Sequence, residues 1–228
     1  MRTTWCLRLG RGWEAHLLLA YPVQFEATRD VRYLETLARR FRVLLALRDD
    51  KTDRRDEVRG RIMPGWGSVR FSTGPGNVGK YTSWAVHVGM LLFPASRFVR
   101  LATADPQLST RFAHDISEFT AAIIEWLEAH EDQWHEREWP PISAPGDGGE
   151  AGGWYTEPIL GAASLPLKQM NTLGRVMLEL GLTGVGDRFL DRAVMLARFL
   201  KNRMVLRPDG AYQWAYRRTS LHPIQAIA

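Results

Sequence analysis

The stretch Leu165–Met204 reads LPLKQMNTLGRVMLELGLTGVGDRFLDRAVMLARFLKNRM, and VLRPDGAYQWAYR follows it at 205–217. Its first half carries apolar residues at helical spacing, at Leu167, Met170, Leu173, Met177 and Leu180. Glycines then interrupt the pattern at 181, 184 and 186, and Asp187 is a favourable N-cap for a second helix. The second helix has a stripe of Leu190, Ala193, Val194, Ala197 and Leu200. This stretch predicts an αα-hairpin followed by a strip in which aromatic residues alternate with others.

The rest of the chain predicts further hairpins of the same kind. Apolar residues at helical spacing cover Trp13–Tyr21, a segment from Thr28 or Asp30 to about Leu47, Tyr81–Ala102 with a break at Pro94, and Leu108–Trp134. No two segments show convincing strand alternation. We therefore expect an all-α fold, an array of αα-hairpins in one domain over residues 1–228.

Two kinds of connection separate the predicted helices. Some are tight turns, and others are long, aromatic and glycine-rich, such as Pro64–Lys80 and Glu136–Gly153. The mixed-charge run Arg48–Gly60 is typical of a solvated loop. We expect the long loops to gather on one face of the array and to carry the function.

Composition and charge exclude several classes of protein. The chain has 228 residues, of which 45% are hydrophobic and 24% charged, as in an ordinary globular domain. The net charge is +5, but basic residues alternate with acidic ones, so we expect no nucleic-acid partner. The single cysteine, Cys6, excludes an internal disulfide framework, and no Cys/His set has the spacing of zinc ligands.

Targeting and cofactor signals are also missing from the sequence. No apolar run approaches membrane-spanning length, and the N-terminal residues do not make a good signal peptide. We expect no membrane partner, with the cytoplasm as the default location. No phosphate loop, dinucleotide fingerprint or serine nucleophile elbow is present, and we expect no cofactor and no metal.

Four segments resemble the α/α-toroid, or six-hairpin glycosidase-like, proteins of carbohydrate metabolism. They are PGWG at 64–67, WAVHVGM at 84–90 with Pro94, LPLKQMN at 165–171 leading to Thr183-Gly184, and AYQWAY at 211–216. The resemblance covers most of Thr28–Tyr216. It implies an α/α toroid, but the chain offers only about half of the helices of a complete one. We therefore expect an incomplete toroid, which is either a fragment, a half-toroid or a ring closed by a partner chain, and a homo-oligomer is one way to cover its open helix faces.

The resemblance implies an activity on carbohydrates without choosing the reaction. Our first hypothesis is a lyase or epimerase that abstracts a proton from an acidic poly- or oligosaccharide. A non-catalytic sugar-binding or scaffold fragment and a glycoside hydrolase are the alternatives.

The lyase or epimerase hypothesis assigns a role to each candidate residue. His87 would be the base, because imidazole titrates near neutrality, and Tyr155 the acid or second base. Asn171 and Arg70 would neutralise the substrate carboxylate. Sugar rings would stack on or bond to Trp66, Trp154, Gln169, Tyr212 and Trp214. Each candidate has a structural alternative, which is core packing for the rings and a helix-end hydrogen bond for the amides.

A hydrolase would instead need two carboxylates that flank the glycosidic bond. The candidates are Asp49 or Asp50, Glu157 and Asp209. No spacing marks any two of them as a pair, and Asp209-Gly210 is also ordinary turn chemistry. The sequence therefore favours the His87 set slightly over the carboxylate set.

Overall fold

The computed structural model describes residues 13–69, 72, 76–137, 152–158, 167–201 and 203–214. Within these ranges the chain forms seven α-helices: α1 (Trp13–Thr28), α2 (Arg32–Leu45), α3 (Ala85–Thr103), α4 (Pro106–Arg111), α5 (Ala113–Glu128), α6 (Leu167–Gly181) and α7 (Asp187–Lys201). It also forms six short strands: β1 (Arg55–Asp56), β2 (Arg61–Ile62), β3 (Trp134–Arg137), β4 (Gly152–Tyr155), β5 (Met204–Leu206) and β6 (Tyr212–Trp214).

The strands make three two-stranded antiparallel sheets, β1–β2, β3–β4 and β5–β6. In the second sheet Trp134 pairs with Tyr155 and His135 with Trp154. The predicted all-α class, and with it the incomplete toroid, is therefore wrong, because the chain mixes helices with small sheets. Strands of two to four residues are too short to show alternation, so the sequence pattern did not reveal them.

The apolar stripes are confirmed for two of the helices and partly wrong for a third. Helix α2 buries Leu34, Leu37, Ala38, Phe41, Leu44 and Leu45, and α6 buries Met170, Leu173, Val176, Met177 and Leu180. Helix α7 buries Phe189, Ala193, Leu196 and Phe199. The prediction for α7 is right for the buried Ala193 and wrong for Val194, which is 39% exposed, and for the exposed Ala197.

Two predicted helix boundaries are also wrong. Helix α3 continues through Pro94, and both flanking residues are buried in the core. The single helix predicted over Leu108–Trp134 is divided at Phe112, whose backbone (φ −107°, ψ 19°) leaves the helical range, and it ends at Glu128. Trp134 belongs to strand β3 instead.

Helix α3 is the central element of the hydrophobic core. Within the described part of the chain it is the one helix long and apolar enough to cross a membrane, with a mean hydropathy of 1.2. The expectation that no apolar segment reaches spanning length is thus wrong for α3. Of this apolar stretch, 78% is buried inside the protein, as expected for a core helix.

Contacts between the helices place both long connections at the same end of the helices. Helix α3 runs parallel to α6, because a Cβ on Gly89 would lie 2.9 Å from Thr172 Oγ1 while Arg100 further along contacts Glu179. Helix α2 likewise runs parallel to α5, with Phe41 on Phe119 at 4.8 Å between ring centres and Arg48 on Glu125 at 2.6 Å. The two long connections therefore begin side by side, at the C-termini of α2 and α5. They also end side by side, at the N-termini of α3 and α6.

Candidate functional site

The two long connections supply a cluster of buried charged and polar side chains. The first connection spans 46–84, and the second is described at 129–137 and 152–158. Arg59, Asp56 and Glu157 lie at the centre, and their side chains are 3%, 0% and 0% exposed. Charged side chains are rarely this buried unless they are paired. The partners of each group therefore decide whether it can act on a ligand.

Asp56 has its acceptor positions occupied by the protein itself. Its Oδ1 accepts the backbone N–H groups of Val58 and Arg59 at 2.9 and 2.8 Å. Its Oδ2 accepts the Thr82 hydroxyl and the Ser83 N–H, each at 2.9 Å, and Arg59 Nη1 at 3.0 Å. A carboxylate that accepts this many bonds has no position left for a substrate, so Asp56 anchors the segment.

Glu157 connects the second long connection to the first. One oxygen contacts Arg59 Nη2, and the other accepts the N–H of Ala85, the first residue of α3, at 3.5 Å. Burial raises the pKa of Glu157, whereas the positive charge of Arg59 acts in the opposite direction. The carboxyl also lies at a helix N-terminus, where negative charge is favourable. Glu157 therefore serves mainly to hold Arg59 and the start of α3.

Buried neutral side chains, among them His130 and Trp126, lie next to these charges. His130 Nδ1 lies 2.8 Å from the carbonyl oxygen of Trp126, and a carbonyl only accepts, so Nδ1 carries the hydrogen. Burial, assisted by the charge of Arg59, lowers the pKa of His130 to about 3. A Cβ on Gly65 would lie 2.9 Å from Trp126 Nε1 and 3.1 Å from Ser83 Oγ. The imidazole is therefore neutral, and the space beside Gly65 is already filled.

Asp49 is the carboxyl of this region that keeps an unshared oxygen. It is 3% exposed, and its Oδ1 accepts the Tyr81 hydroxyl at 2.6 Å. That hydroxyl in turn accepts the Gly67 N–H at 3.0 Å. The buried Oδ2 has no hydrogen-bond partner among the described residues. The geometry thus fixes one oxygen of Asp49 and leaves the second one buried without a hydrogen bond to a described residue.

The proton affinities of this pair suit proton transfer by Asp49. Burial raises the pKa of Asp49 to about 6, although the Tyr81 hydroxyl, the nearby Gly67 N–H and the charge of Arg54 act to lower it. Burial and the neighbouring Asp49 raise the pKa of Tyr81, so the phenol keeps its hydrogen. A carboxyl with a pKa near neutrality can either give or take a proton under physiological conditions.

Of the aromatic residues predicted to bind sugar whose side chains are described, two are buried and one is exposed. Trp66 is buried, donates Nε1–H to the Leu44 carbonyl at 2.9 Å and packs edge-on against Phe41. Trp154 is also buried and stacks on Phe199, with ring centres 5.5 Å apart. These two rings have the core-packing role that was the structural alternative. Tyr212 on β6 is 59% exposed.

The predicted acid–base residues have different neighbours. His87 is half-buried in the first turn of α3, with its ring centre 6.1 Å from that of Trp84, and burial lowers its pKa to about 4. Tyr155 is buried against Trp134, and burial raises its pKa. Asn171 is exposed on α6. The predicted roles of these residues in one shared site stay predictions.

Three further predicted residues lie beyond what the structure describes. Arg70 falls outside the described ranges, and the side chains of Gln169 and Trp214 are likewise outside them. Their predicted contacts with a substrate stay predictions.

The hydrolase carboxylates divide into buried and surface groups. Asp50 accepts two bonds from Arg48, at 2.8 and 3.1 Å, and lies 3.4 Å from Lys51. Asp209 accepts the Ala211 N–H at 3.1 Å in the β5–β6 turn. Asp49 and Glu157 are the buried ones, and of these two Asp49 has the unshared oxygen.

The sequence reasoning missed the Asp56–Arg59 anchor and the pairing of Asp49 with Tyr81. The run Arg48–Gly60 was expected to be solvated, yet Arg48, Asp49 and Asp56 are buried in it. One signal was available in the sequence. Three hydroxyl residues in a row, at 81–83, lie one residue before the first turn of the apolar helix α3, and hydroxyls that enter a core need polar partners.

Other sources of functional information are few. Within the described ranges, no group of three or more His, Cys, Asp or Glu side chains could hold a metal ion. Comparisons of the chain with protein-family models, with curated proteins and with solved structures find no match. Function is therefore inferred from the geometry of the site and from the sequence motifs.

Proposed function

We propose that this protein is a carbohydrate-active enzyme that works by proton transfer, with the carboxyl of Asp49 as the group that carries the proton. The observation behind the proposal is the Asp49–Tyr81 pair. Oδ1 is fixed by the phenol at 2.6 Å, and Oδ2 is buried without a partner among the described residues. Burial raises the pKa of this carboxyl to about 6.

The pair has the properties that a general acid requires. At pH 6 about half of the Asp49 carboxyls hold a proton, and Tyr81 occupies Oδ1, so the proton resides on Oδ2. Cleavage of a glycosidic bond needs such a raised carboxylic acid to protonate the leaving oxygen. The carbohydrate class itself is supported by the motifs at 64–67, 84–90, 165–171 and 211–216. The Asp49–Tyr81 pair supports the general-acid half of hydrolysis, in which the carboxyl gives its proton to the leaving oxygen while water attacks the anomeric carbon and loses a proton to a second base.

A lyase or epimerase that uses His87 is the second candidate. Burial lowers the pKa of His87 to about 4, which keeps the imidazole neutral and able to accept a proton at neutral pH. In this reaction the base removes the proton next to a sugar carboxylate. The two candidates leave different products, because elimination makes an unsaturated sugar that absorbs in the near ultraviolet and hydrolysis does not.

The test compares the protein with Asp49→Asn on a panel of neutral and acidic oligosaccharides. New reducing ends report hydrolysis, and near-ultraviolet absorbance reports elimination. We expect Asp49→Asn to lower turnover by about a hundredfold or more. Asp53→Asn is the matched control, since Asp53 is an exposed residue of the same turn. If Asp49 is the acid, turnover should also decline above about pH 6.

Three results would redirect the proposal. Full turnover by Asp49→Asn would remove Asp49 from the reaction. Unsaturated products that depend on His87 would favour the lyase. Binding of sugars without turnover by any form of the protein would favour a non-catalytic sugar-binding protein.

A further inference from the structure

We propose that the guanidinium of Arg54 forms an anion-binding subsite beside Asp49 and recognises the carboxylate of an acidic saccharide. The saccharide part rests on the function proposed above. The anion-binding part follows from the position of Arg54, and the two are separable by experiment.

A tight turn brings Arg54 back to Asp49. The N–H groups of Lys51 and Thr52 bond to the Arg48 carbonyl at 3.0 and 3.1 Å, which begins the turn. Asp53 then takes a left-handed backbone conformation with φ 52°. The turn closes where the Arg54 N–H bonds to the Asp49 carbonyl at 2.9 Å.

One aromatic ring positions both functional groups. The guanidinium carbon of Arg54 lies 3.5 Å from the centre of the Tyr81 ring. The hydroxyl of the same ring donates to Asp49 at 2.6 Å. Contact with a ring face holds a guanidinium through cation–π attraction while its N–H edge stays free for other partners. The ring therefore presents an oriented cation next to the carboxyl that carries the proton.

Arg54 differs from the four other described arginines of its connection, of which Arg55 donates its Nε–H to the Gly60 carbonyl at 2.9 Å and the other three are ion-paired. Arg48, Arg59 and Arg61 each have an aspartate within ion-pair distance, at 2.8, 3.0 and 3.5 Å. Among the described residues, no carboxylate lies within ion-pair distance of the exposed Arg54. Its donors are thus available to a ligand that approaches from solvent.

The ligand that fits this group is a planar carboxylate. A guanidinium offers parallel N–H donors that match both oxygens of a carboxylate, and charge-assisted bonds of this kind are the stronger ones. An acidic sugar bound in this way would lie next to the Tyr81 ring, whose hydroxyl bonds to Asp49. The substrate class that follows is a saccharide containing uronic acid.

Calorimetric titration of the full chain tests the subsite with oligosaccharides of galacturonate, glucuronate and mannuronate, each also as its methyl ester. Asp49→Asn serves as the background, so that turnover does not disturb binding. We expect the acid forms of at least one series to bind about tenfold or more tightly than the esters. Arg54→Gln should remove this preference, and Arg54→Lys should lose most of it because the planar fork is gone. Arg55→Gln, in the neighbouring exposed arginine, should keep it.

Each remaining outcome decides the matter. Equal binding of acid and ester, no binding of any probe, or a preference that survives Arg54→Gln would overturn the subsite. Tighter binding of a sulfate ester of the same sugar would overturn the assignment to a carboxylate. If the protein prefers acids over esters through Arg54 but turns over no saccharide, the proposed function is contradicted and the subsite is supported. If Asp49 is required for turnover of neutral sugars and acids are not preferred, the proposed function is supported and the subsite is contradicted.

Discussion

The guanidinium of Arg59 contacts the carboxylate of Glu157 across 98 positions of sequence, and both side chains are almost completely buried. The same guanidinium donates to Asp56 Oδ2 at 3.0 Å and to the Ser83 carbonyl at 2.9 Å. Glu157 also accepts the first N–H of α3. One arginine side chain therefore fastens the two long connections to each other and to the central helix.

Replacement of Glu157 by alanine should destabilise the protein by about 3–5 kcal/mol, because it leaves the Arg59 charge buried beside an empty space. Glu157→Gln should cost less, since the amide keeps the size of the side chain and an acceptor for Arg59. Urea unfolding measures both. The control is Glu128→Ala, whose partner Arg188 and own side chain are both 52% exposed, and it should cost less than about 1 kcal/mol. A loss for Glu157→Ala no larger than for the control would contradict this role.

The sequence predicts the helices well where one face of a helix meets the core. The apolar residues of α2 from Leu34 to Leu45 recur at the helical period that predicted this helix, and the core positions Leu34, Leu37, Ala38, Phe41, Leu44 and Leu45 are all buried. The stripe predicted for helix α7 is only partly right, and the reason is physical. Apolar residues lie on more than one side of it, and only packing against β4 and α6 selects Phe189, Ala193 and Phe199. Periodicity cannot choose between two apolar faces of one helix.

The candidate site was less predictable because its contacts join distant parts of the chain. Asp49 meets Tyr81 32 positions away, and no local spacing encodes that distance. A dense run of charges such as Arg48–Gly60 usually lies in water, and here three-dimensional partners bury part of it. Asp49 and Glu157 were among the hydrolase candidates, but their different environments appear only in the folded chain.

Asp49 should make the free energy of unfolding fall as the pH rises from about 4 to about 6. Its carboxyl holds the proton more tightly in the folded state, with a pKa raised from 3.8 to about 6, so the unfolded chain ionises first. The full change is roughly 3 kcal/mol, at 1.36 kcal/mol per pKa unit. Asp49→Asn should remove this fall, which urea unfolding at several pH values would show as a difference from the unmodified protein. Parallel pH curves for the two proteins would rule the effect out.

His130 should have the opposite effect on the acid side. Burial lowers its pKa from 6.5 to about 3, so the unfolded state takes up the proton first and stability falls as the pH drops through that range. The loss is on the order of 4–5 kcal/mol if the shift is fully expressed. His130→Gln removes the titrating group, so the free energy of unfolding should fall less steeply as the pH drops from about 6.5 to about 3. His16→Gln, in an exposed residue of α1, should leave that fall unchanged.

Gly67 controls whether the Asp49–Tyr81 pair can form. A Cβ at this position would lie 2.3 Å from Cε1 and 2.5 Å from Cζ of the Tyr81 ring. The ring cannot move aside freely, because its hydroxyl bonds to both Asp49 and the Gly67 N–H and Arg54 covers one of its faces. An added methyl group must therefore displace the phenol from Asp49.

Gly67→Ala should cost about 1–3 kcal/mol of stability through this overpacking, as measured by urea unfolding. It should also raise the pKa of Asp49 above about 6, because the Tyr81 hydroxyl that lowers it is displaced. A carboxyl-carbon NMR titration of Asp49 reports that change. Gly174→Ala is the matched control in α6, where a Cβ would meet Leu196 at an ordinary 3.6 Å. It should instead stabilise the helix by about 0.5–1 kcal/mol. If Gly67→Ala kept both the stability and the pKa of Asp49, Tyr81 would not be the group that sets the proton affinity of the site.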